Sequence, residues 1–371
     1  MAIPAPRDPD VTRERLGPWV SSKLSGAREV AISRLEIPRS GFSNETFYFD
    51  VDCTEGDTRR RERLVVRARP EGDGLFLGGD VMLQWRVMRA VERTAVPVPP
   101  LFWAEPDPTI LGSPFFVMGR VDGRVATEVP SYHRRGWVVD LTPADRERLW
   151  RNGMAELVKV AKLDWRSGFD FLAAGAGEPG LERYVGWVAE WYRWAAKGRD
   201  MGVADAALEW VLANRPRDPS LAVVWGDSRI GNMIVRDDLS IAAVIDWEMA
   251  TLGPAEVDLG WWLFFERFLT EGSRTPGLEG IPGREETIAR WESLVGRRAR
   301  DVPYYEVLGA LRMAIIVMRG TAWQIEAGML PPATAMASRN PVSQILARSL
   351  DLPIPELAPE YEALLAKIEA G

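Results

Sequence analysis

Cysteine and histidine are almost missing from this chain: Cys53 and His133 are single occurrences in 371 residues. One thiol forms no intrachain disulfide, and one imidazole beside one thiol leaves no cluster for zinc, so a hard cation on oxygen ligands is the metal chemistry left open. A basic excess is missing too. The formal net charge is −7, whereas a surface that tracks phosphates is normally basic, so no nucleic-acid partner is expected. Long apolar runs are also lacking. "GWWLFF" and "AIIVM" are interrupted by charge well before the length that spans a bilayer, and "MAIPAPRDPD" has early acids and no apolar segment, unlike a secretory signal. The expectation is a cytoplasmic protein with no membrane partner.

What is present exceeds the usual single core, so two packed units or one large α+β domain is expected. A short helix fits Val11 to Leu24, and the stretch from Val30 to about Arg69 reads as strands. The run "TRRRER" lies between two of them and reads as a solvated hairpin turn. A helix near Asp80 to Thr94, then "VPVPP", then the hairpin-like "LFWAEPDPTILGSPFFVMGRVDG" complete a strand-rich first third. After Gly123 helical periodicity takes over. Pro143 to Asp164 is one candidate, and Leu181, Tyr184, Val185, Val188, Tyr192 and Ala195 share one face of another, a pattern of core packing. Three short apolar runs, "LAVVW", "NMIVR" and "IAAVID", interrupt the helices, which resume from about Ala255. The boundary falls near "MGRVDG".

Those three runs bring polar residues to their ends. In "VVWGDSRIGNMIV" Asp227 is followed five residues later by Asn232, and "AAVIDWE" then delivers Asp246. A strand that ends in a carboxylate holds the backbone rigid while the acid projects into a cleft. Phosphoryl transfer needs mostly alignment and charge neutralisation: a carboxylate for the acceptor hydroxyl's proton, and oxygen ligands that hold magnesium on the phosphates. The Asp-to-Asn step matches the spacing of the kinase catalytic loop, and Asp246 stands where the metal-binding Asp follows it. The opposing reading has Asp227 capping a turn, Asn232 making an Asx bond and Asp246 starting a helix. The ordered set, with strand-like runs on both sides of Asn232, argues against it.

"VVWGDSRIGNMIV...IAAVIDWEMATLGPAEVDLGWW" resembles the core signature of the aminoglycoside phosphotransferase and choline kinase family, and within it the subgroup similar to kinase-like domains fused to acyl-CoA dehydrogenases. The likeness runs from about residue 30 to about residue 270. It implies an α+β, bilobal protein-kinase-like fold: a small β-rich N-lobe with one main helix over residues 1–118, a hinge at 119–123, and a larger, mostly helical C-lobe over 124–371 with the catalytic loop and acceptor site. It implies ATP as donor and Mg2+ as the ion, with Asp227 as catalytic base, Asn232 and Asp246 as metal ligands and Asp258 as a support for the loop. In the small lobe, Ser43 and Asn44 of "RSGFSNETFYF" would cover the phosphates, Arg67 would take the place of the phosphate-pairing lysine, and backbone groups near Met118 and Arg120 would meet the adenine edge. Trp225 replaces the family's usual histidine, and Gln84 replaces the glutamate that normally pairs with the lysine or arginine. Arg67 would then bond Gln84 neutrally, or take Asp80, one turn earlier on the same helix face, as its compensating anion.

The implied partner is a small-molecule hydroxyl acceptor. Glu266, Glu271 and Glu279 offer the acidic surface a polycationic aminoglycoside needs. The aromatics of "DLGWWLFFERF", each more often core than site, and Met313 and Met318 suit an acceptor with an apolar portion at least as well. The favoured reading is a hydroxyacyl-type metabolite kinase and not an aminoglycoside kinase. An aminoglycoside kinase, a nucleotide-binding pseudokinase-like module and a hydrolase using Asp227 and Asp246 as an acid/base pair are the alternatives.

Overall fold

The computed structural model describes residues 7–38, 44–70, 72 and 74–370. Strand alternation organises the first part. Helix α1 (Pro9–Lys23) precedes β1 (Ala27–Ile32), β2 (Glu45–Glu55) and β3 (Thr58–Ala68), helix α2 (Val81–Val91), then β4 (Leu101–Glu105) and β5 (Phe115–Gly119). The five strands form one antiparallel sheet in the order β1-β2-β3-β5-β4. Successive side chains point to opposite faces, so Leu64 and Val66 of β3 join Phe47, Phe49, Phe115 and Val117 under Leu16, Trp19 and Val20 of α1. Val65, Phe116 and Met118 face the other way, into the core that contains Val87, Met88 and Val91 of α2. Arg67 shares the alternation of Val65 and lies on the α2 side.

The "TRRRER" run belongs to β3 and not to a turn. Glu55 pairs with Thr58, and Gly56, at φ +59°, supplies the left-handed backbone a two-residue connection needs. The arginines stay in the sheet because their side chains reach water and pair with acids, Arg60 with Glu55 and Glu62, and Arg61 with Asp50.

The second part is mostly helical: α3 (Pro143–Ala161), α4 (Leu181–Ala196), α5 (Val203–Ala213), then β6 (Ala222–Val224), β7 (Met233–Val235), β8 (Ile241–Val244) and β9 (Thr251–Gly253), followed by α6 (Glu256–Arg267), α7 (Arg284–Val295), α8 (Val302–Glu326), α9 (Pro341–Ser349) and α10 (Pro359–Ala370). The aromatic face of α4 is buried in this core, as are Met313 and Met318 of α8. Two small antiparallel sheets, β6 with β9 and β7 with β8, hold the polar segment against the helices. No helix among the described residues is long and apolar enough to cross a membrane.

Trp19 ties α1 to the sheet: its ring lies 4.7 Å from Phe115 and its indole N–H donates to Glu105 at 2.7 Å. Trp19→Ala is expected to cost about 3–5 kcal/mol, read as a fall in the urea midpoint.

Candidate active site

A buried carboxylate sets the loop after β6. Asp258, in the first turn of α6, accepts the Trp225 amide at 2.7 Å on Oδ2 and the Gly226 amide at 2.8 Å on Oδ1, and the Ser228 hydroxyl donates to its backbone carbonyl at 2.8 Å. Burial pushes the Asp258 carboxyl up to about 6, while the two amides and the nearby Arg312 pull it down. Gly226 sits at φ +91°, and a Cβ there would overlap the Met249 carbonyl, so only glycine fits the turn. From below, the fully buried Arg312 of α8 donates Nη2 to the Gly226 carbonyl, and its guanidinium lies 4.2 Å over the Trp261 ring.

Asp227 projects from this loop with both oxygens engaged. Oδ1 accepts Trp261 Nε1 at 2.9 Å and Arg229 Nε at 2.7 Å, and Oδ2 accepts Arg229 Nη2 at 3.0 Å. A carboxylate offers about four lone-pair positions, so Oδ2, with one of these donors against two on Oδ1, has the more open side. Asn232 donates Nδ2 to the Asp227 carbonyl at 3.0 Å, which leaves its Oδ1 as an acceptor. The Ile245 amide donates to the Asn232 carbonyl at 3.0 Å, placing Asp246 next to it. Asp246 is held at φ +65°, a backbone region that non-glycine residues occupy mainly where the surroundings impose it. Trp225, which stands in the histidine position, directs its indole N–H at the Ile245 and Asp246 carbonyls, at 3.0 and 3.1 Å. Hydrogen bonds therefore tie the segments of Asp227, Asn232 and Asp246 together.

From the small lobe, Arg67 reaches across and donates Nη2 to Asp246 Oδ1 at 2.9 Å. This corrects the expected partner: neither Asp80 nor Gln84 is bonded to it. Asp80 caps α2 by accepting the Met82 amide at 2.8 Å, and both polar atoms of the buried Gln84 side chain lack a hydrogen-bond partner. The reason is charge. An amide gives a guanidinium little, whereas Asp246 and Glu248 are anions; burial opposes the charge on Arg67, and these two outweigh it, raising its pKa. Asn44 donates Nδ2 to Glu248 Oε2 at 2.6 Å, so its side chain also crosses the cleft. Ser43 lies outside the described residues. Met118 is paired within the sheet, to Val65 and Leu101. The Arg120 amide donates to the Arg63 carbonyl at 2.8 Å, and its guanidinium covers the Tyr48 ring at 4.7 Å.

Among the described residues no three His, Cys, Asp or Glu side chains converge as a metal cage. Asn232 Oδ1 and the Asp246 carboxylate are hard oxygen donors of the kind magnesium takes, in a set that phosphates and water would complete.

Several residues escaped the sequence reading. Arg229 bridges Asp227 and Glu128, and its position two residues after Asp227 was a visible signal. Trp261 has the apolar surroundings of a core residue, and its ring is buried, but its N–H donates to Asp227. Glu128, a hundred residues upstream, had no signal. Glu266 accepts from the Tyr132 hydroxyl and from His133 Nε2 at 3.1 Å, while His133 Nδ1 accepts the Leu278 amide at 3.1 Å, fixing the proton on Nε2. Glu271 pairs with Arg267 and Arg348. Met313 and Met318, expected to suit an apolar acceptor, are core residues.

A small antiparallel-sheet lobe, a larger helical part and this Asp–Asn–Asp cleft define a protein-kinase-like phosphotransferase architecture. The chain matches the phosphotransferase enzyme family known as APH over residues 34–291, well over half its length, and it belongs to that family. Its fold is similar to a Ralstonia eutropha protein classed with the aminoglycoside phosphotransferases, at a TM-score of 0.68 and 22% identity, over 91% of this chain and 98% of that one. It is similar also to a thermostable variant of aminoglycoside phosphotransferase APH(4)-Ia, solved in ternary complex with ADP and hygromycin B, at a TM-score of 0.55 and 17% identity, over 90% of this chain and 98% of that one. In sequence it is 26% identical over 282 residues to acyl-CoA dehydrogenase family member 11 of Homo sapiens, covering 73% of this chain and 34% of that protein. The chain thus spans about a third of the length of that relative.

Asp258→Asn turns one accepting oxygen into an N–H that faces a backbone N–H. The expected cost is about 1–3 kcal/mol, measured by urea denaturation.

Proposed function

We propose that this protein transfers the γ-phosphoryl group of ATP, with Mg2+, to a hydroxyl of a small molecule. The observation that supports this most is the hydrogen-bond chain linking Asp227, Asn232 and the segment of Asp246, in which the Asn232 side-chain amide donates to the Asp227 carbonyl and the Ile245 backbone amide donates to the Asn232 carbonyl. In this reading Asp227 takes the acceptor hydroxyl's proton at Oδ2 as the new O–P bond forms and the bond from the γ-phosphorus to the β,γ-bridging oxygen breaks, releasing ADP. Trp261 and Arg229 fix the carboxylate's plane so that the open lone pair keeps one direction. Asn232 and Asp246 would hold Mg2+, which supplies charge neutralisation on the phosphate oxygens. Arg67, displaced from Asp246, would meet the α- and β-phosphates, Asn44 with Ser43 would lie over them, and the backbone near Met118 and Arg120 would receive the adenine edge. Because the Arg120 amide is already used within the lobe, the remaining backbone groups of that segment would do so.

For the acceptor we favour a metabolite with an apolar portion, of hydroxyacyl type, over an aminoglycoside. Two of the three carboxylates that would attract a polycation are already engaged, Glu266 by Tyr132 and His133 and Glu271 by Arg267 and Arg348. Val125 and Val129, on the segment that carries Glu128, are 41% and 67% exposed and offer apolar surface. The similarity to part of an acyl-CoA dehydrogenase family member points the same way. A second reading, a nucleotide-binding module with little catalysis, is favoured by one observation: Arg67 sits on Asp246 while Gln84 gives it no anchor.

With labelled ATP, transfer is expected to a hydroxyacyl-CoA thioester ahead of small alcohols and aminoglycosides; efficient transfer to a kanamycin-like drug would overturn the acceptor class. Asp227→Asn is expected to lower kcat by about 10²–10⁴-fold with ATP binding retained, while equal low turnover in the variant and the parent chain would favour the binding module. Asp246→Asn is expected to abolish the Mg2+ dependence of ATP binding, followed by titration with a fluorescent nucleotide.

A further inference from the structure

Glu128 lies far from the catalytic loop in sequence, yet the fold delivers it there. Arg124 exchanges two backbone hydrogen bonds with Val235 of β7, at 2.8 and 2.9 Å, which pins the start of its segment to the hairpin that follows Asn232. Four residues on, the Glu128 carboxylate meets Arg229 Nη1. Its other oxygen, Oε1, is buried without a hydrogen-bond partner and sits where a side chain at position 231 would begin, so a Cβ on Gly231 would overlap it. The glutamate is therefore wedged against the loop that bears Asp227 and Asn232.

Arg229 is fixed on three sides. Nε and Nη2 face Asp227 at 2.7 and 3.0 Å, Nη1 faces Glu128, and the guanidinium lies 4.6 Å over the Phe265 ring. An arginine bidentate on a lone carboxylate would neutralise it and weaken it as a base. With Glu128 on the far side the three groups sum to −1, and the cation is shared. Burial pushes the Glu128 carboxyl up, Arg229 pulls it down, and both Asp227 and Asp246 raise it again, so the charges of all these groups are felt at one place.

The geometry points to Glu128 as a positioning residue for phosphoryl transfer: it holds Arg229 from behind, and through Arg229 it sets the direction in which the Asp227 carboxylate faces. This rests on Asp227 acting as the base. Glu128 is not a catalytic residue, because its carboxylate reaches the reacting atoms only through the arginine.

The test uses the full chain, with phosphate release from labelled ATP, water being the acceptor, as the rate probe and a fluorescent ATP analogue as the binding probe. Glu128→Gln is expected to lower kcat about 10–100-fold, with the KM for ATP within about twofold and nucleotide stoichiometry unchanged, and Glu128→Asp should recover part of the loss. Gly231→Ala, which evicts the wedge without touching a charge, should reproduce the effect. In an Arg229→Met background Glu128→Gln should cost nothing more, since its route to Asp227 is gone. A rate for Glu128→Gln within twofold of the parent while Asp227→Asn is inactive would overturn the role of Glu128 alone, and so would losses that multiply in the double variant or that track lost nucleotide sites. An Asp227→Asn variant as active as the parent would bring down the base assignment and this inference with it.

Discussion

The site hangs on one buried carboxylate. Where β6 ends, the Trp225 and Gly226 amides turn away from any strand partner into the protein interior, and a buried donor left unpaired costs about 1–3 kcal/mol. Asp258 supplies both acceptors from the first turn of α6, where an acid also suits the helix dipole. From there the order passes along the chain as bonds to backbone carbonyls: from the Asn232 side-chain amide to Asp227, from the Ile245 amide to Asn232, and from the Trp225 indole to Ile245 and Asp246. The substitution of tryptophan for histidine before Gly226 leaves this chain intact, since an indole N–H performs the carbonyl contact. Arg312 below the loop gives the buried acid a nearby cation without forming a direct ion pair with it.

The cleft above this frame is an alternation of charges. Asp246 and Glu248 face the small lobe and receive Arg67 and Asn44, and Asp227 and Glu128 share Arg229. The exchange of a glutamate for Gln84 changes which of these contacts forms. With no anion on α2, Arg67 has its strongest partner across the cleft, and a guanidinium stands on the carboxylate proposed to hold the metal. Arg67 thereby ties the small lobe to the proposed metal-binding carboxylate through a single side chain.

Much of this was legible in the residues because it is local. Apolar alternation reported the strands of both parts, the face of α4 appeared in its aromatic spacing, and the Asp–Asn–Asp order survives as spacing because its members flank consecutive short strands. What was not legible depends on contacts between distant segments. Glu128 and Arg229 are about a hundred residues apart, and Trp261 looks like any core tryptophan until its N–H is seen to face Asp227. The partner of Arg67, Asp246, lies in the other lobe, where no local pattern around Arg67 points to it. The methionines of α8 had side chains suited to an apolar ligand, but the hydrophobic effect does not distinguish a pocket wall from a core, and the long central helix is buried nearly all round.

The missing side chain at position 231 has a consequence for sequence divergence. A glycine there is required by the carboxylate of another segment and not by its own backbone, which is not among the positive-φ glycines. Alanine at 231 would thus become tolerable only in a chain whose residue 128 is shorter or turned away. Among relatives that keep an arginine two places after the aspartate of this loop, the two positions should drift as a pair, and a compact 128 beside a bulkier 231 would mark a lineage that orients its arginine by other means.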